Sequence, residues 1–130
     1  MDNSVKELME VLRTLRGPGG CPWDQKQTHE SLVKYLREES EEVCTEIEKG
    51  NLGESLKEEL GDLFLQVMLH CMLAEERGAF SFSEMSRALK EKLIFRHPHV
   101  YGENAGPITE EQLDVQWAKL KKIEKSRVKA

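Results

Sequence analysis

From Leu63 to Ala74 the chain is apolar on nearly every side of a helix, interrupted only by Gln66 and His70. Such a segment has no face to give to water, so other elements must surround it. It is too short to span a bilayer. The cover comes at helical spacing. Val5, Leu8, Met9, Leu12 and Leu15 form one stripe, and Leu32, Tyr35, Leu36, Val43 and Ile47 form another. No segment shows sustained strand alternation, so the chain is predicted to be all-α.

Punctuation sets the helix bounds. The first helix is expected from Val5 to Arg16, opened by a capping box of Ser4 with Glu7 and stopped by Gly17-Pro18-Gly19-Gly20. Cys21-Pro22-Trp23-Asp24 then reads as loop. The second runs from Thr28 or His29 to Lys49, ended by Gly50-Asn51. The third runs from Glu54 to Arg77, ended by Gly78, and is the central one. A fourth follows Ser81, with Glu84 as its capping partner, and ends before His97-Pro98 because the residue before proline avoids the helical region. Pro98 to Pro107 reads as loop. Thr109 with Gln112 opens a last helix through Lys125. The basic tail to Ala130 is expected to fray.

The chain has 130 residues, with 38% hydrophobic and 33% charged. This predicts a single domain over residues 1–130, a helical bundle with one apolar stripe per helix. It equally fits a protomer that completes its core by pairing with a copy of itself. A net charge of -5 argues against nucleic acid as a partner. A small anionic substrate would need local neutralisation, and excess carboxylates are what divalent cations require. Cys21, Cys44 and Cys71 are odd in number with no C-x-x-C pair, so neither a disulfide framework nor a zinc site follows. Cys44 and Cys71 read as small core residues. A reducing cytoplasm is the simplest setting, and the N-terminus lacks the pattern of a signal peptide.

The informative acids are Glu38, Glu39 and Glu42 on the second helix, and Glu59 and Asp62 on the third. Residues three apart share a helix face, so Glu39 pairs with Glu42 and Glu59 with Asp62. Glu39 stands where its stripe calls for an apolar residue, between Leu36 and Val43. Asp62 lies at the mouth of the most apolar helix. Carboxylates converging there would repel one another, and a bound Mg²⁺ removes that cost while leaving positions for water and phosphate. Gly61, between the acids, costs about 1 kcal/mol against alanine, which a close approach by another backbone or a ligand would explain. The competing reading is that acids three apart are ordinary solvated helix surface. Glu41, Glu46, Glu48 and Glu58 are read that way, although Glu46 and Glu58 lie near enough to the stripes to support a site from behind.

Glu38-Glu39-x-x-Glu42 followed by Glu59-x-x-Asp62 resembles the signature of MazG nucleotide pyrophosphohydrolases. The resemblance extends to Cys21-Pro22-Trp23-Asp24, Gln27-Thr28-His29 with Leu32, and Glu58-Glu59-Leu60-Gly61-Asp62-Leu63. It continues through Lys92-Leu93-Ile94-x-Arg96-His97-Pro98-His99-Val100-Tyr101-Gly102 and the Trp117 region, from about Arg13 to Lys121. It implies an all-α fold with sites built between two protomers, as a homodimer or homotetramer. It implies hydrolysis of nucleoside or deoxynucleoside triphosphates to monophosphate and pyrophosphate, a nucleotide-pool clean-up activity. By the resemblance Glu39, Glu42, Glu59 and Asp62 hold Mg²⁺, with Mn²⁺ as a substitute. Glu38 is an adjacent acid that orients or deprotonates the water. Lys92, Arg96, Trp117 and Lys121 match the family's nucleotide-contacting positions.

The chemistry is compatible with those roles, because phosphoryl transfer is mostly positioning and charge neutralisation. Lys92 and Arg96, four apart, suit a phosphate clamp or a solvated face. Trp117 suits stacking on a base or ordinary packing. His29 is placed at a helix start, His70 as a satisfied core histidine, and His97-Pro98-His99 at a turn. Trp23 and Asp24 are read as anchors of the first loop. A di-iron carboxylate bundle is set aside, because it needs Glu-x-x-His and the residues three before each histidine are Lys26, Val67, Ile94 and Arg96. Two other readings stay open: a non-catalytic nucleotide- or partner-binding module, and hydrolysis of a related modified nucleotide.

Overall fold

Thr28 shows how local chemistry starts the helix that carries the first acids. Its hydroxyl accepts from the Ser31 backbone N–H at 3.1 Å, and the Ser31 hydroxyl accepts from the Thr28 N–H at 2.9 Å. Beneath this box Gln27 is buried, receiving the Ser31 hydroxyl on its own oxygen at 2.7 Å and donating to the Trp23 carbonyl at 2.9 Å. The computed structural model describes residues 2–127, and helices are the only regular elements among them. In chain order they are α1 (Ser4–Arg16), α2 (Pro22–Lys26), α3 (His29–Glu48), α4 (Glu54–Glu76), α5 (Phe82–Arg96), α6 (Pro98–Tyr101) and α7 (Glu110–Arg127). The chain divides into two compact units, Met1–Phe82 and Ser83–Ala130.

In the first unit α3 and α4 make the most extensive helix pairing, and α1 packs on α4. Two apolar clusters hold it. Met9 and Leu12 of α1 meet Met68 and Met72 of α4, with Phe64, Leu65 and Phe82 against them. Leu32 of α3 meets Leu69 and Leu73 of α4, with Tyr35 and Leu65 alongside. Leu32 and Met68 are completely buried. Burying each such side chain stabilises the fold by roughly 1.5–3 kcal/mol. The expectation that α4 is the central helix is met: its buried residues run from Gln66 to Ala74. Gly50 and Gly78 adopt positive φ, 78° and 71°, just past α3 and α4. The next N–H in each case, of Asn51 and of Ala79, turns back to the carbonyl of Glu46 or Ala74 at 2.9 Å.

In the second unit no residue of α5, α6 or α7 is fully buried. Leu89, Leu93, Ile94, Val115 and Ile123 are exposed. The Thr109–Gln112 box forms reciprocally, at 3.1 and 3.0 Å. The last helix continues to Arg127, and the rest of the tail lies outside the described residues.

Several expectations need correction. Pro22–Lys26 is helix rather than loop, as is Pro98–Tyr101. Each opens with proline in its first turn, where the missing N–H has no partner to lose. Ser4 does not cap α1; Asp2 accepts from the Ser4 N–H and hydroxyl at 3.0 and 2.7 Å. Cys44 is exposed while Cys71 is buried, because Cys44 sits about 100° around α3 from the inward-facing Val43. Val5, Leu8, Leu15 and Ile47 are also exposed. No described helix is long and apolar enough to cross a membrane.

Candidate metal-binding carboxylate site

The acids are brought together by two antiparallel helices meeting along one seam. Leu32 against Leu69 and Leu73 sets the register at one end. Glu39 and Glu42 then fall opposite Glu59 and Asp62 at the other. One carboxylate oxygen from each of these residues lies within 4.8 Å of the other three. Glu39 and Glu59 are half-buried, while Glu42 and Asp62 are exposed. Glu39 Oε2 and Glu59 Oε2 are sealed from solvent and have no hydrogen-bond partner among the described residues.

Crowding of like charge shows in the protonation equilibria. A hydrogen bond shared with the Glu42 carboxyl, then burial, then repulsion from Glu42, Asp62 and Glu39, push Glu59 up to about 7. Burial first, then repulsion from and hydrogen bonding with Glu42, then the charges of Asp62 and Glu38, raise Glu39 as well. Without a cation the cluster therefore holds protons that ordinary carboxylates have lost. Sealed acceptor oxygens and convergent hard donors fit a small divalent cation, which carboxylate oxygens bind well and which replaces the missing donors. Glu38 is exposed beside them and lines, with Glu42, Glu46 and Glu59, a cleft of about 320 Å³. Glu46 is engaged there by the Asn51 side chain at 2.9 Å, whereas Glu58 is exposed and lines no part of that cleft. Gly61 has open space where a Cβ would stand, so no other described element approaches that side of it.

Lys92, Arg96, Trp117 and Lys121 belong to the second unit, where Arg96 pairs with a residue that the sequence pattern did not single out, Glu124. Arg96 makes a two-pronged pair with Glu124, at 2.7 and 2.6 Å. That bond holds the Glu124 carboxyl below its usual range, with the charges of Lys92 and Lys121 adding to the effect. The indole N–H of Trp117 donates to the Arg96 carbonyl at 2.7 Å, and its ring meets His97 edge-on. Glu124 lies one turn from Lys121 on α7, and that i, i+3 spacing was the available signal. Trp23, itself exposed, meets Tyr35 edge-on, and the Asp24 backbone carbonyl accepts from Arg16 at 2.5 Å, contacts that tie this segment to α1 and α3.

Fold and site together define an all-α protein with a four-carboxylate cluster suited to a metal ion. A family model described as the MazG nucleotide pyrophosphohydrolase domain matches residues 27–101. The chain belongs to that family. It is 46% identical over 125 residues to a nucleoside triphosphate pyrophosphohydrolase/pyrophosphatase MazG of Thermotoga maritima, covering 96% of this chain and 47% of that protein. It is 35% identical over 126 residues to a nucleoside triphosphate pyrophosphohydrolase of Escherichia coli K12, covering 96% of this chain and 47% of that one. The chain thus spans about half the length of these curated relatives. A crystal structure of a mazG-related protein from Thermotoga maritima superposes with a TM-score of 0.74 at 30% identity, covering 93% of this chain and 99% of that chain.

Proposed function

We propose that the chain, as one MazG domain, hydrolyses nucleoside or deoxynucleoside triphosphates to the monophosphate and pyrophosphate in a Mg²⁺-dependent reaction. The observation that carries this reading is the convergence of Glu39, Glu42, Glu59 and Asp62 with two sealed, unpartnered oxygens among them. Bound there, Mg²⁺, or Mn²⁺ in its place, would supply charge neutralisation for the triphosphate and polarisation of a water. The four carboxylates hold that ion. Glu38, exposed at the lip of the cleft, orients the water or takes its proton. The products imply attack at the α-phosphorus.

Lys92, Arg96 and Lys121 are the proposed phosphate contacts. Arg96 would exchange Glu124 for a phosphate oxygen, keeping two-pronged geometry. Trp117 offers a ring face to a base while its N–H stays on Arg96. The exposed apolar residues of α5 and α7 support pairing of two copies, as a dimer or a dimer of dimers. Names of the relatives support the substrate class; a nucleotide-pool role in the cytoplasm is part of the same proposal.

The test is incubation with a panel of nucleoside triphosphates, with Mg²⁺ and with chelator, followed by product analysis. Monophosphate and pyrophosphate formed only with Mg²⁺ are expected. Nucleotide binding without turnover would replace the enzyme by a binding module. Turnover of modified nucleotides alone would redirect the substrate class.

A further inference from the structure

Among the described residues, the buried side-chain atoms without a hydrogen-bond partner are Glu39 Oε2, Glu59 Oε2, Gln66 Oε1 and His70 Nε2. The first two belong to the acid cluster, and the other two lie outside it. Yet Glu59, Asp62, Gln66 and His70 follow one another on α4 at spacings of three, four and four, a single stripe of the helix. Its neighbours Leu69 and Leu73 pack on Leu32 of α3, so the stripe lies along the α3 seam. Gln66 is only 5% exposed, and an idle amide oxygen there carries a desolvation cost with no return.

Bond directions assign the missing partners. Arg77 Nε donates to His29 Nε2 over 3.4 Å. A guanidinium has no acceptor, so His29 Nε2 is the accepting nitrogen and its proton sits on Nδ1. That Nδ1 lies 2.7 Å from His70 Nδ1, the rings nearly parallel at 14°. His70 Nδ1 therefore accepts, and its own proton sits on Nε2. The expected satisfied core histidine is thus only half satisfied. Its free nitrogen is a buried donor, and one turn before it Gln66 Oε1 is a buried acceptor.

We propose that these groups form one directed hydrogen-bond relay, Arg77 to His29 to His70 to Gln66 to Asp62, in which Gln66 is a positioning residue for the Asp62 carboxylate. A single buried water between His70 Nε2 and Gln66 Oε1, with a donor on one side and an acceptor on the other, closes the open link. Asp62 lies four residues before Gln66, the spacing at which Gln–Asp pairs bond along a helix, so with its oxygen engaged the amide would have its N–H groups left to direct at that carboxylate. A carboxylate held by a neutral donor keeps its orientation and charge for a cation. Only this last link rests on reading Asp62 as a metal ligand.

The test is a double-mutant cycle of Gln66→Met and His70→Phe, read by unfolding of the metal-free protein and by Mg²⁺ titration. Each single change is expected to lower the unfolding midpoint, since each strands the other's polar atom. The double variant is expected to lose less than the sum. Gln66→Met is expected to raise the Mg²⁺ midpoint by about tenfold or more. Additive losses overturn the relay. Coupled losses with an unmoved Mg²⁺ midpoint overturn the link to Asp62. A wild type that takes up no Mg²⁺ overturns the magnesium reading, and the cycle still decides the relay. Should the variants fail to fold, imidazole ¹⁵N shifts of the wild type decide it: a proton on His29 Nδ1 and His70 Nε2 supports the relay, and the opposite tautomer at His70 overturns it.

Discussion

The seam between α3 and α4 has two halves built on opposite principles. At one end Leu32 is fully buried, packed on Leu69 and Leu73 with Tyr35 and Leu65 alongside. At the other, Glu39 and Glu59 bring charge into partial burial, each with an oxygen that no described residue satisfies. The first half stabilises the fold and sets the register. The second half uses that register to hold four like charges together, at a cost in stability. A cluster of like charges of this kind has to be held by packing elsewhere, and here the leucines and the acids share one pair of helices.

Substitutions should separate the halves. The largest stability effect is expected from Leu32→Ala or Met68→Ala, a loss of about 2–5 kcal/mol in denaturant unfolding. Turnover per folded molecule should survive at low temperature. Glu42→Gln should do the reverse: pyrophosphate release falls by about 10²-fold or more while the unfolding midpoint holds or rises, because one of four repelling charges is gone.

The pH dependence sharpens the contrast further. The folded value of Glu59 stands near 7, above its ordinary 4.5. The native metal-free chain therefore binds more protons than the unfolded chain between those values. The contribution of Glu59 to stability is fullest below about 4.5 and should be lost as pH rises through about 7. Mg²⁺ should bind more tightly over the same rise, because it displaces those protons, and saturating Mg²⁺ should flatten the stability profile. A thermal melt at several pH values, with and without the ion, measures both.

Gly61→Ala is a smaller probe. With open space at its Cβ position, alanine should add about 0.5–1 kcal/mol to the stability of a lone protomer. Activity lost in that variant would mark an approaching ligand or second copy. Smallest of all, Arg13→Ala removes an exposed pair with Glu75 at 3.5 Å and should change stability by less than about 1 kcal/mol.

How far the sequence anticipates this molecule depends on the length of the pattern read. Long periodic runs such as Leu63–Ala74 declare themselves, because burial on all sides leaves no alternative to a central helix. The acid pairs are legible for the same reason: three-residue spacing plus intrusion into an apolar stripe is a local signal. Proline misleads at Pro22 and Pro98, where the same residue that ends a long helix begins a short one. Cys44 misleads because its apolar neighbours lie in sequence and not in space. The spacing to Lys121 marks Glu124 as a neighbour on its own helix, but its pairing with Arg96, like the unpartnered atoms of Gln66 and His70, depends on which side chains meet across helices.

The central claim is that the acid half of the seam holds a divalent ion. A crystal grown with Mn²⁺ and a non-hydrolysable triphosphate, examined by anomalous scattering, tests it most directly. The account predicts a metal peak about 2 Å from oxygens of Glu39, Glu42, Glu59 and Asp62, with phosphate oxygens completing its shell. Those side chains turned apart into solvent with no peak between them, while nucleotide is bound elsewhere, would contradict it.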